Sequence, residues 1–594
     1  MIHDKLTDTL GKAIDAAVSS LYPSLSPHHS TVSVPTDKKK ADYVSNISFQ
    51  LAKELSQSPL KIAQEIVEEI NKIPNDIFST EAIMPGFINF RLSNVSLSAV
   101  IKDIKKHGSA YGKNTMLEGE TWVIEHTSPN PNKAMHVGHL RNNLVGMSIA
   151  KILEYSGAKV IRDCVDNDRG IAITKAMWGY LKYERRDKDK KTTYDVDYWI
   201  QHKDEWLTPS EINVKPDHFV GECYTLASED FKNDKDAQDA IRQMAVLWEA
   251  GDKNIWALWE LIISYAHQGI TETLDRVGNH WDKIWHEHEH YNQGKDLVAK
   301  GLEKGTFKRL ENGAILTNLD AYNIPDTIML KSDGTSLYIT QDIALTKLKK
   351  DSYGADKLLW VIGPEQSVAM KQVFAVCEQL GVGNYNDFAH IPYGLVNITD
   401  ESGAKKKMSS RGGNTLLIDD LLDEVKNTLL NSDRGYTPML ADQIAVAAIK
   451  CALLKPARTT DTSINIQQAV SLEGDSGLYL LYTFARVNTV IAKNMGSITS
   501  GLSDSNYTAR ERELIVKLLY YPEHIKTALS DYSPNVLVEY LLDIAHSFNS
   551  LYAKERFISE DLAETNKKME LSTAVSTVFS SALDVIGVKP VERI

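Results

Sequence analysis

The chain has 594 residues, of which 66 are Lys or Arg and 79 are Asp or Glu, so its formal net charge is −13. No uninterrupted apolar run reaches the ~18 residues of a membrane-spanning helix, and four widely spaced cysteines argue against a disulfide framework or a Cys-based zinc site. We therefore expect a multidomain, cytoplasmic protein; the acidic total does not exclude nucleic acid, because binding depends on where the charges lie.

The first 113 residues predict a small α+β domain. Apolar residues at helical spacing precede two short strand-like stretches, which favours helices packed on a strand pair. Phe87 and Phe90 are candidates for its core, and the Gly-rich segment GSAYGKNT marks its end. The expected elements are helices over residues 6–21 and about 45–73, and two strands that meet at Pro85-Gly86.

Residues 114–441 predict an α/β domain of the Rossmann type with a parallel sheet. TWVIEH predicts a strand, a helical pattern runs from Met135 to Gly157, and AKVIRDCVD predicts a second strand. A strand, a helix and a strand in so short a stretch form a βαβ unit, whose strands are parallel. LLWVIGPEQ and IPYGLVNI add short strands, and a Trp-rich helical insertion occupies about residues 180–278.

Residues 442–594 predict an all-α domain. Segments such as IAVAAIKCALL, LYLLYTFARVNTVIAKNM and VLVEYLLDIAHSF carry apolar residues at helical spacing. Several such helices in succession are typical of a helix bundle.

The strongest chemical signal is His136-Val137-Gly138-His139, at the start of the first crossover helix. Residues three apart share a helix face, so both imidazoles point the same way. A helix N-terminus offers N–H groups and a favourable dipole to an anion, and Gly138 lets a flat group approach the backbone. The motif predicts a site for a phosphate-bearing nucleotide; two histidines that cap a surface helix are the alternative.

A second signal is KMSSRGG at residues 407–413, after the second half of the predicted sheet. Lys407 would supply a point charge, Ser409 and Ser410 hydroxyl donors, and the glycines a backbone that bends around phosphates. Taken alone, the segment is better explained as a flexible basic loop. Its position downstream of the histidine motif favours a joint role in binding a triphosphate.

With both motifs in this order, the chain resembles a class I aminoacyl-tRNA synthetase: HVGH stands where that class has HIGH, and residues 407–411 where it has KMSKS. The closer resemblance is to the arginyl-tRNA synthetase family, and it covers essentially the whole chain. The segments that carry it are PGFINF at 85–90, EHTSPNPNKAMHVGHLRN at 125–142, DHFVG at 217–221, SDGTSLYITQD at 332–342, KMSSRGG at 407–413 and SLEGDSGLY at 471–479.

The resemblance implies that five residues bind arginine. Tyr338 and Asp342 are four apart and can share a helix face, and Gln366 ends LLWVIGPEQ. Glu125 and Asn130 lie at the C-terminal end of the first strand, where ligands of open α/β sheets bind. Carboxylates, amides and a ring suit a planar guanidinium.

The resemblance also implies a two-step reaction in which arginine is activated by ATP and then transferred to tRNA. His136, His139 and Lys407 would stabilise charge on the reacting phosphate, with Mg²⁺ bridging the phosphates of ATP. No structural metal is expected. The implied ATP contacts are Lys133, Gly138, His139, Met408, Ser409 and Ser410.

The implied macromolecular partner is tRNA(Arg), bound by a chain that we expect to be monomeric. The N-terminal domain resembles the one that touches the tRNA elbow, with Phe87 and Asn89 as contacts, although core packing is the simpler role for Phe87. The C-terminal domain resembles an anticodon-binding domain, with Tyr479, Tyr482 and Arg486 as contacts and bundle packing as the alternative for the tyrosines. In this family amino-acid activation generally needs bound tRNA.

Two departures from the family pattern concern the edges of these sites. The usual TGPYLQYxHxR stands here as SGLYLLYTFAR, without its Gln and His, which affects contacts on the anticodon side. Ala369 stands where a histidine often follows Gln366, which affects the adenine neighbourhood.

The segment His286-Glu287-His288-Glu289-His290-Tyr291 offers a possible zinc site, because alternation on a strand would put three histidines on one side. The family has an ESxxY segment here that binds no metal, and Glu287 and Tyr291 fit it. We therefore predict no metal site.

Three other functions compete with this interpretation. The chain could be another class I synthetase, or a small nucleotidylyltransferase, although such enzymes are much shorter and have no helical C-terminal domain. It could also be an inactive tRNA-binding paralogue, against which the intact motif residues argue.

Overall fold

A computed structural model describes residues 1–25, 30–35, 40–187, 195–291, 293–335, 337–399, 405–406, 416–493, 506–591 and 594. The chain forms two compact units. One comprises Thr115–Val470 and Tyr532–Asn535, and the other comprises Met1–Asn114, Ser471–Asp531 and Val536–Ile594. The division into three domains at residues 113 and 441 remains a prediction.

The N-terminal segment is an antiparallel three-stranded sheet with helices, in the order β1-β3-β2. The single helix predicted over 45–73 is two helices, because Ser56 takes a left-handed conformation (φ 50°) and Ser58 and Pro59 begin a new helix. In chain order the elements are α1 Ile2–Leu21, β1 Tyr43–Ser45, α2 Ile47–Leu55, α3 Pro59–Asn71, β2 Phe78–Ile83, β3 Phe87–Leu92 and α4 Asn94–His107.

The two predicted core phenylalanines of β3 have different environments. Phe90 is fully buried, whereas Phe87 is 38% exposed. Side chains alternate along a strand, so residues three apart face opposite sides of the sheet. The core prediction was therefore correct for Phe90 and wrong for Phe87.

The unit that contains Thr115–Val470 is built on a five-stranded parallel sheet in the order β11-β10-β4-β5-β6, as the βαβ pattern predicts. Its elements up to the end of the sheet are β4 Thr121–Glu125, α5 Val137–Tyr155, β5 Lys159–Asp166, α6 Ile171–Tyr183, α7 Val196–Gln201, α8 Pro216–Asn233, α9 Lys235–Glu249, α10 Lys253–Val277, β6 Lys283–His286, α11 Glu287–His290, α12 Gly294–Glu303, β7 Lys308–Arg309, β8 Ile315–Leu316, β9 Ile328–Leu330, α13 Tyr338–Tyr353, β10 Lys357–Val361, α14 Ser367–Leu380 and β11 Phe388–Ile391.

The Trp-rich insertion is helical, as predicted. Helices α6 to α10 enclose a core in which Trp178, Trp199 and Trp206 are almost fully buried. The last of these helices ends at Val277, and Gly278 follows in the left-handed conformation that commonly closes a helix.

Two strand predictions needed correction. IPYGLVNI forms parts of two strands rather than one, since β11 ends at Ile391 and β12 begins at Val396. A short strand, β14, also interrupts the region predicted to be helical, and it pairs in parallel with β12. The remaining elements of this unit are β12 Val396–Thr399, β13 Lys405–Lys406, α15 Ile418–Leu430, α16 Pro438–Leu454, β14 Thr462–Ile464 and α17 Ile466–Ala469.

The C-terminal segment is the predicted helix bundle. Helix α22 packs on α18, α19 and the N-terminal helix α4, so the bundle shares a core with the N-terminal segment of the same unit. Among the described helices, none has the length and apolarity needed to cross a membrane. The helices are α18 Gly477–Ala492, α19 Ala509–Leu519, α20 Tyr521–Ser530, α21 Asn535–Lys554 and α22 Leu562–Val585.

Candidate active site

The order of strands in the parallel sheet reverses at β4, with β5 and β6 on one side and β10 and β11 on the other. Ligands of open parallel sheets bind at the carboxyl ends of the strands, at such a switch point. Asn142 of α5 lies here. Its side chain accepts a hydrogen bond from the N–H of Thr127, just after β4 (2.7 Å), and donates to the carbonyl of Val361, which ends β10 (2.6 Å).

The two histidines of the HVGH motif form a single unit at the N-terminus of α5. Nδ1 of His136 accepts from the N–H of Gly138 (3.2 Å), and Nδ1 of His139 accepts from the N–H of His136 (3.1 Å). The rings stack with their centroids 3.8 Å apart. A Cβ atom at residue 138 would lie 3.0 Å from the His136 ring, so glycine allows this arrangement.

Both imidazoles are neutral at physiological pH. Burial, and then the charge of Lys133, lowers the pKa of His136 to about 4. Burial also holds the pKa of His139 well below its ordinary value, with His136 and Lys133 contributing. Because each Nδ1 already accepts a hydrogen bond, we assign the ring proton to Nε2. Each ring can therefore donate a neutral N–H to an anionic ligand.

The segments on either side of the lysine motif are among the described residues. Upstream, β12 and β13 pair as an antiparallel hairpin. Downstream, the N–H of Val137 donates to the carbonyl of Leu416 (3.2 Å) and the N–H of Ile418 donates to the carbonyl of Met135 (3.0 Å). The chain that leaves the motif is thus fastened to the start of α5. Four predicted site residues lie outside the described residues: Lys407, Met408, Ser409 and Ser410.

A second tie holds the same segment through α15. Nζ of Lys215 donates to Oδ2 of Asp419 (2.8 Å), and Oγ1 of Thr273 donates to the same oxygen (2.7 Å). Lys215 also lies 3.2 Å from Oδ1 of the buried Asp217, the first residue of DHFVG. The insertion helices therefore help to hold the segment that follows the lysine motif.

Sequence reasoning missed a buried arginine one turn into α5. Arg141 is fully buried, and its guanidinium donates to the carbonyls of Gly394 (2.8 Å), Leu395 (3.4 Å) and Ala457 (3.3 Å). These contacts connect α5 to the chain that leads into β12 and β14. The signal was available in the sequence, because three consecutive polar residues, Arg-Asn-Asn, stand one residue after HVGH in a helix rich in apolar residues.

A buried ion cluster lies beneath the arginine candidates. Nζ of Lys349, itself buried, contacts Oε2 of Glu125 (2.7 Å) and Oδ2 of Asp163 (3.0 Å). Nε1 of Trp285 donates to the same Asp163 oxygen (2.8 Å). Glu125 therefore has a cationic partner within the protein, which the sequence analysis did not foresee. Charged residues inside the strand AKVIRDCVD were the available hint.

The remaining arginine candidates are accessible to a ligand. Tyr338 begins α13 with 83% of its surface exposed, and Asp342 follows one turn later, also exposed. Although its side chain is accessible to solvent, surrounding protein atoms partly desolvate the Asp342 carboxylate, and this desolvation, followed by the charge of Glu125, raises its pKa to about 7. Asn130 and Gln366 are exposed as well. Their assignment to arginine remains a prediction.

The unit that contains the N- and C-terminal segments carries the tRNA candidates. Phe87 is half-exposed, and its ring lies 5.0 Å from that of Phe49, while Asn89 is half-buried on the same strand. Tyr482 and Arg486 line an open cleft of about 1220 Å³ between α18 and α21, and the guanidinium lies 4.6 Å above the Tyr482 ring. The hydroxyl of Tyr479 accepts a hydrogen bond from Asn549 (2.9 Å), and the same Asn549 accepts one from Arg486.

The histidine-rich segment is not a continuous strand. His286 ends β6, and Glu287–His290 is a single helical turn. Oε1 of Glu287 accepts from Arg169 (3.4 Å) and from Gln341 (3.3 Å), and the same guanidinium lies 3.9 Å above the Tyr291 ring. Glu287 and Tyr291 thus both contact the Arg169 guanidinium, Glu287 through its carboxylate and Tyr291 through its ring.

Comparison with protein families assigns most of the chain. The model of the catalytic domain of class I tRNA synthetases (R) matches residues 100–466. The arginyl-tRNA synthetase N-terminal domain matches residues 6–92, and the DALR anticodon-binding domain matches residues 480–594.

Individual relatives agree with these matches. The chain is 31% identical to an arginine–tRNA ligase of Treponema denticola over 581 residues (94% of each chain). It is 30% identical to one of Borrelia hermsii over 570 residues (93% of this chain and 92% of that one). Its fold resembles the arginyl-tRNA synthetase of Thermus thermophilus with a TM-score of 0.75 at 23% identity, covering 99% and 100% of the two chains.

Proposed function

The chain belongs to the class I arginyl-tRNA synthetase family, and on that basis we propose that it is an arginine–tRNA ligase. It activates L-arginine with ATP to arginyl-adenylate, releases pyrophosphate, and transfers arginine to the 3′-terminal adenosine of tRNA(Arg). The observation that carries the proposal is the stacked pair of neutral histidines at the start of α5, over the switch point of the sheet.

In the first step the arginine carboxylate attacks the α-phosphate of ATP and pyrophosphate leaves. His136 and His139 donate through Nε2–H to phosphate oxygens, and Lys407 with Lys133 supplies positive charge as negative charge develops. Catalysis then consists mainly of positioning and charge stabilisation. Mg²⁺ enters as the counterion of the ATP phosphates, a common arrangement that requires few protein ligands.

Arginine is selected by charge and shape. The Asp342 carboxylate pairs with the guanidinium, and Tyr338 on the same helix face offers its ring. Glu125 is held by Lys349 through Oε2 and accepts a weaker hydrogen bond from Ser128 at Oε1 (3.4 Å), an oxygen that has a second lone pair for the amino acid. Asn130 and Gln366 supply amide groups at the carboxyl ends of β4 and β10.

Transfer RNA binds through the unit that contains the N- and C-terminal segments. Phe87, exposed beside Phe49, offers a surface on which an unpaired base can stack, and Asn89 lies on the same strand. The cleft lined by Tyr482 and Arg486 provides rings and positive charge for the anticodon side, next to Tyr479.

The test is amino-acid-dependent ATP–pyrophosphate exchange, run with each amino acid, with and without total tRNA. We expect exchange with arginine alone among the amino acids, and a marked increase when tRNA is added. Exchange with a different amino acid would identify another class I synthetase. No exchange under any condition, with tRNA binding retained, would identify an inactive paralogue.

We also propose that the chain acts as a monomer in the cytoplasm. Light scattering of the purified chain at catalytic concentrations should give the mass of one copy, with and without tRNA. A stable dimer would contradict this part of the proposal and leave the reaction unaffected.

A further inference from the structure

Two neighbouring strands of the parallel sheet end in a cluster of imidazoles and carboxylates that the proposed reaction does not use. β5 ends at Asp166, with Asp168 two residues later, and β6 ends at His286, with His288 two residues later. His267 of α10 completes the cluster. Because β5 and β6 are parallel neighbours, these residues emerge at the same edge of the sheet.

Short imidazole–carboxylate contacts hold the cluster together. Nδ1 of His286 lies 2.8 Å from Oδ2 of Asp166 and 3.5 Å from Oδ2 of Asp168. Nδ1 of His288 lies 2.5 Å from the same Asp168 oxygen. One ligand atom each from Asp168, His286 and His288 can be chosen so that all lie within 4.8 Å of one another.

The local backbone explains why these two histidines converge. On a strand, His286, His288 and His290 would all lie on one side, but the helical turn that begins at Glu287 changes their directions. His286 and His288 both reach Asp168, whereas His290 is buried with its ring near Trp285. The sequence analysis considered only the alternating pattern and predicted no metal there.

We propose that Asp168, His286 and His288 bind one divalent transition-metal ion of the zinc class, with Asp166 as an additional carboxylate. Imidazole nitrogens favour Zn²⁺, Ni²⁺ and Cu²⁺ over Mg²⁺ and Ca²⁺, which favour all-oxygen sites. Three protein ligands leave a position for water or for Asp166.

Charge and access both suit such an ion. A divalent cation would balance the carboxylates of Asp166 and Asp168 once it replaces the proton that His286 shares with them, because metal ligands bind in their deprotonated forms. The Asp168 side chain is 1% exposed, and those of His286 and His288 are 30% and 23% exposed, so the carboxylate is buried while solvent and an ion can reach the ring nitrogens.

The ion would also act on the neighbouring pocket, a consequence that rests on the proposed function. Glu287 lies between the two histidines in sequence and accepts from Gln341, the residue before Asp342. Fixing His286 and His288 on an ion would fix Glu287 and hence this wall of the arginine pocket. The ion is therefore expected to position residues rather than to enter the reaction.

The test measures metal binding directly on the full chain. The protein is treated with chelator, freed of it, and titrated with Zn²⁺ and, separately, with Co²⁺, whose visible absorption reports tetrahedral nitrogen and oxygen ligands. We expect one tightly bound ion per chain. Loss of a residue that only supports a ligand weakens metal binding by ~10–100-fold. The His288→Asn and Asp168→Asn variants, which lose a ligand itself, should weaken it further.

The matched control is His280→Asn, since His280 is exposed and pairs with Asp282 away from the cluster. It should bind as tightly as the wild type. If the chelated wild type binds no Zn²⁺, or binds it no more tightly than His288→Asn, the proposal is wrong. Should both cluster variants fail to fold, the Co²⁺ spectrum of the wild type decides: octahedral or absent bands overturn the proposal. Neither readout depends on aminoacylation.

Discussion

Desolvation shifts pKa values in opposite directions on the two sides of the catalytic cleft. On the nucleotide side, burial lowers the pKa of His136 to about 4, so a basic side chain becomes a neutral donor. On the arginine side, enclosure raises the pKa of Asp342 to about 7, so an acidic side chain is partly protonated near neutral pH. Desolvation disfavours charge on both sides. Only on the arginine side does the ligand reverse this effect, because the positive guanidinium favours the ionised carboxylate.

The largest effect is expected on the arginine side. Asp342→Asn keeps the shape of the side chain and removes its charge, which leaves the guanidinium without a partner at a cost of about 3–5 kcal/mol. We expect kcat/KM for arginine in the exchange reaction to fall about 10²- to 10⁴-fold, with little change in KM for ATP. Asp351→Asn is the control, because Asp351 is exposed on the same helix; an equal loss there would indicate damage to α13.

The next effect concerns the nucleotide side. His139→Ala removes one neutral N–H donor to the phosphate. It also removes the ring nitrogen that accepts from the backbone N–H of His136, so we expect kcat of activation to fall about 10²-fold. KM for arginine should not change, which separates the two sides of the cleft. Single-turnover measurements of adenylate formation test this, with His280→Ala as control. A variant with altered arginine KM and normal kcat would contradict the assignment.

In the wild type, pH should change arginine binding without changing ATP binding. Because the guanidinium binds ionised Asp342, whose pKa is about 7, arginine affinity is full above that pH and falls about tenfold per unit below it. His136, whose pKa is about 4, stays neutral over the same range, so ATP binding should not change. Equilibrium binding of arginine from pH 8 to pH 5 tests the slope, which Asp342→Asn should abolish. A flat arginine profile in the wild type would contradict it.

The smallest effect is expected at the glycine of the histidine motif. A Cβ at residue 138 would lie 3.0 Å from the His136 ring, so Gly138→Ala should displace that ring at a cost of about 0.5–1.5 kcal/mol. Activation should slow severalfold while α5 stays intact by circular dichroism. An unchanged rate would show that the stacked geometry is not needed.

How far the sequence predicted this molecule depended on how local the signal was. The βαβ pattern predicted the parallel sheet, and the spacing in HVGH predicted that both imidazoles meet at the N-terminus of α5, where His136 caps the helix and His139 lies in its first turn. The pairing of β14 with β12 was missed, because that pairing joins segments far apart in the chain and leaves no periodic pattern. The single helix predicted over 45–73 ignored the turn at Ser56 that precedes Pro59.

Within the candidate site, residue types were predictable but their internal partners were not. Glu125 stood out as a carboxylate at the end of a strand, yet its pairing with Lys349 depends on how α13 packs on the sheet. Arg141 was overlooked because only the fold shows which backbone carbonyls lie within reach of its side chain. The lysine motif at 407–411 remains a prediction, because it lies outside the described residues.

The ion cluster of Lys349, Glu125 and Asp163 has a consequence for the solution conditions under which the protein works. Lys349 and Asp163 are almost inaccessible to solvent, so mobile ions cannot screen them as they screen surface charges. Added salt should therefore leave this ion cluster, and the position of Glu125, largely unchanged, whereas association with a polyanion weakens steeply as ionic strength rises. Increasing salt would thus weaken the encounter with nucleic acid while Glu125 keeps its place at the arginine site.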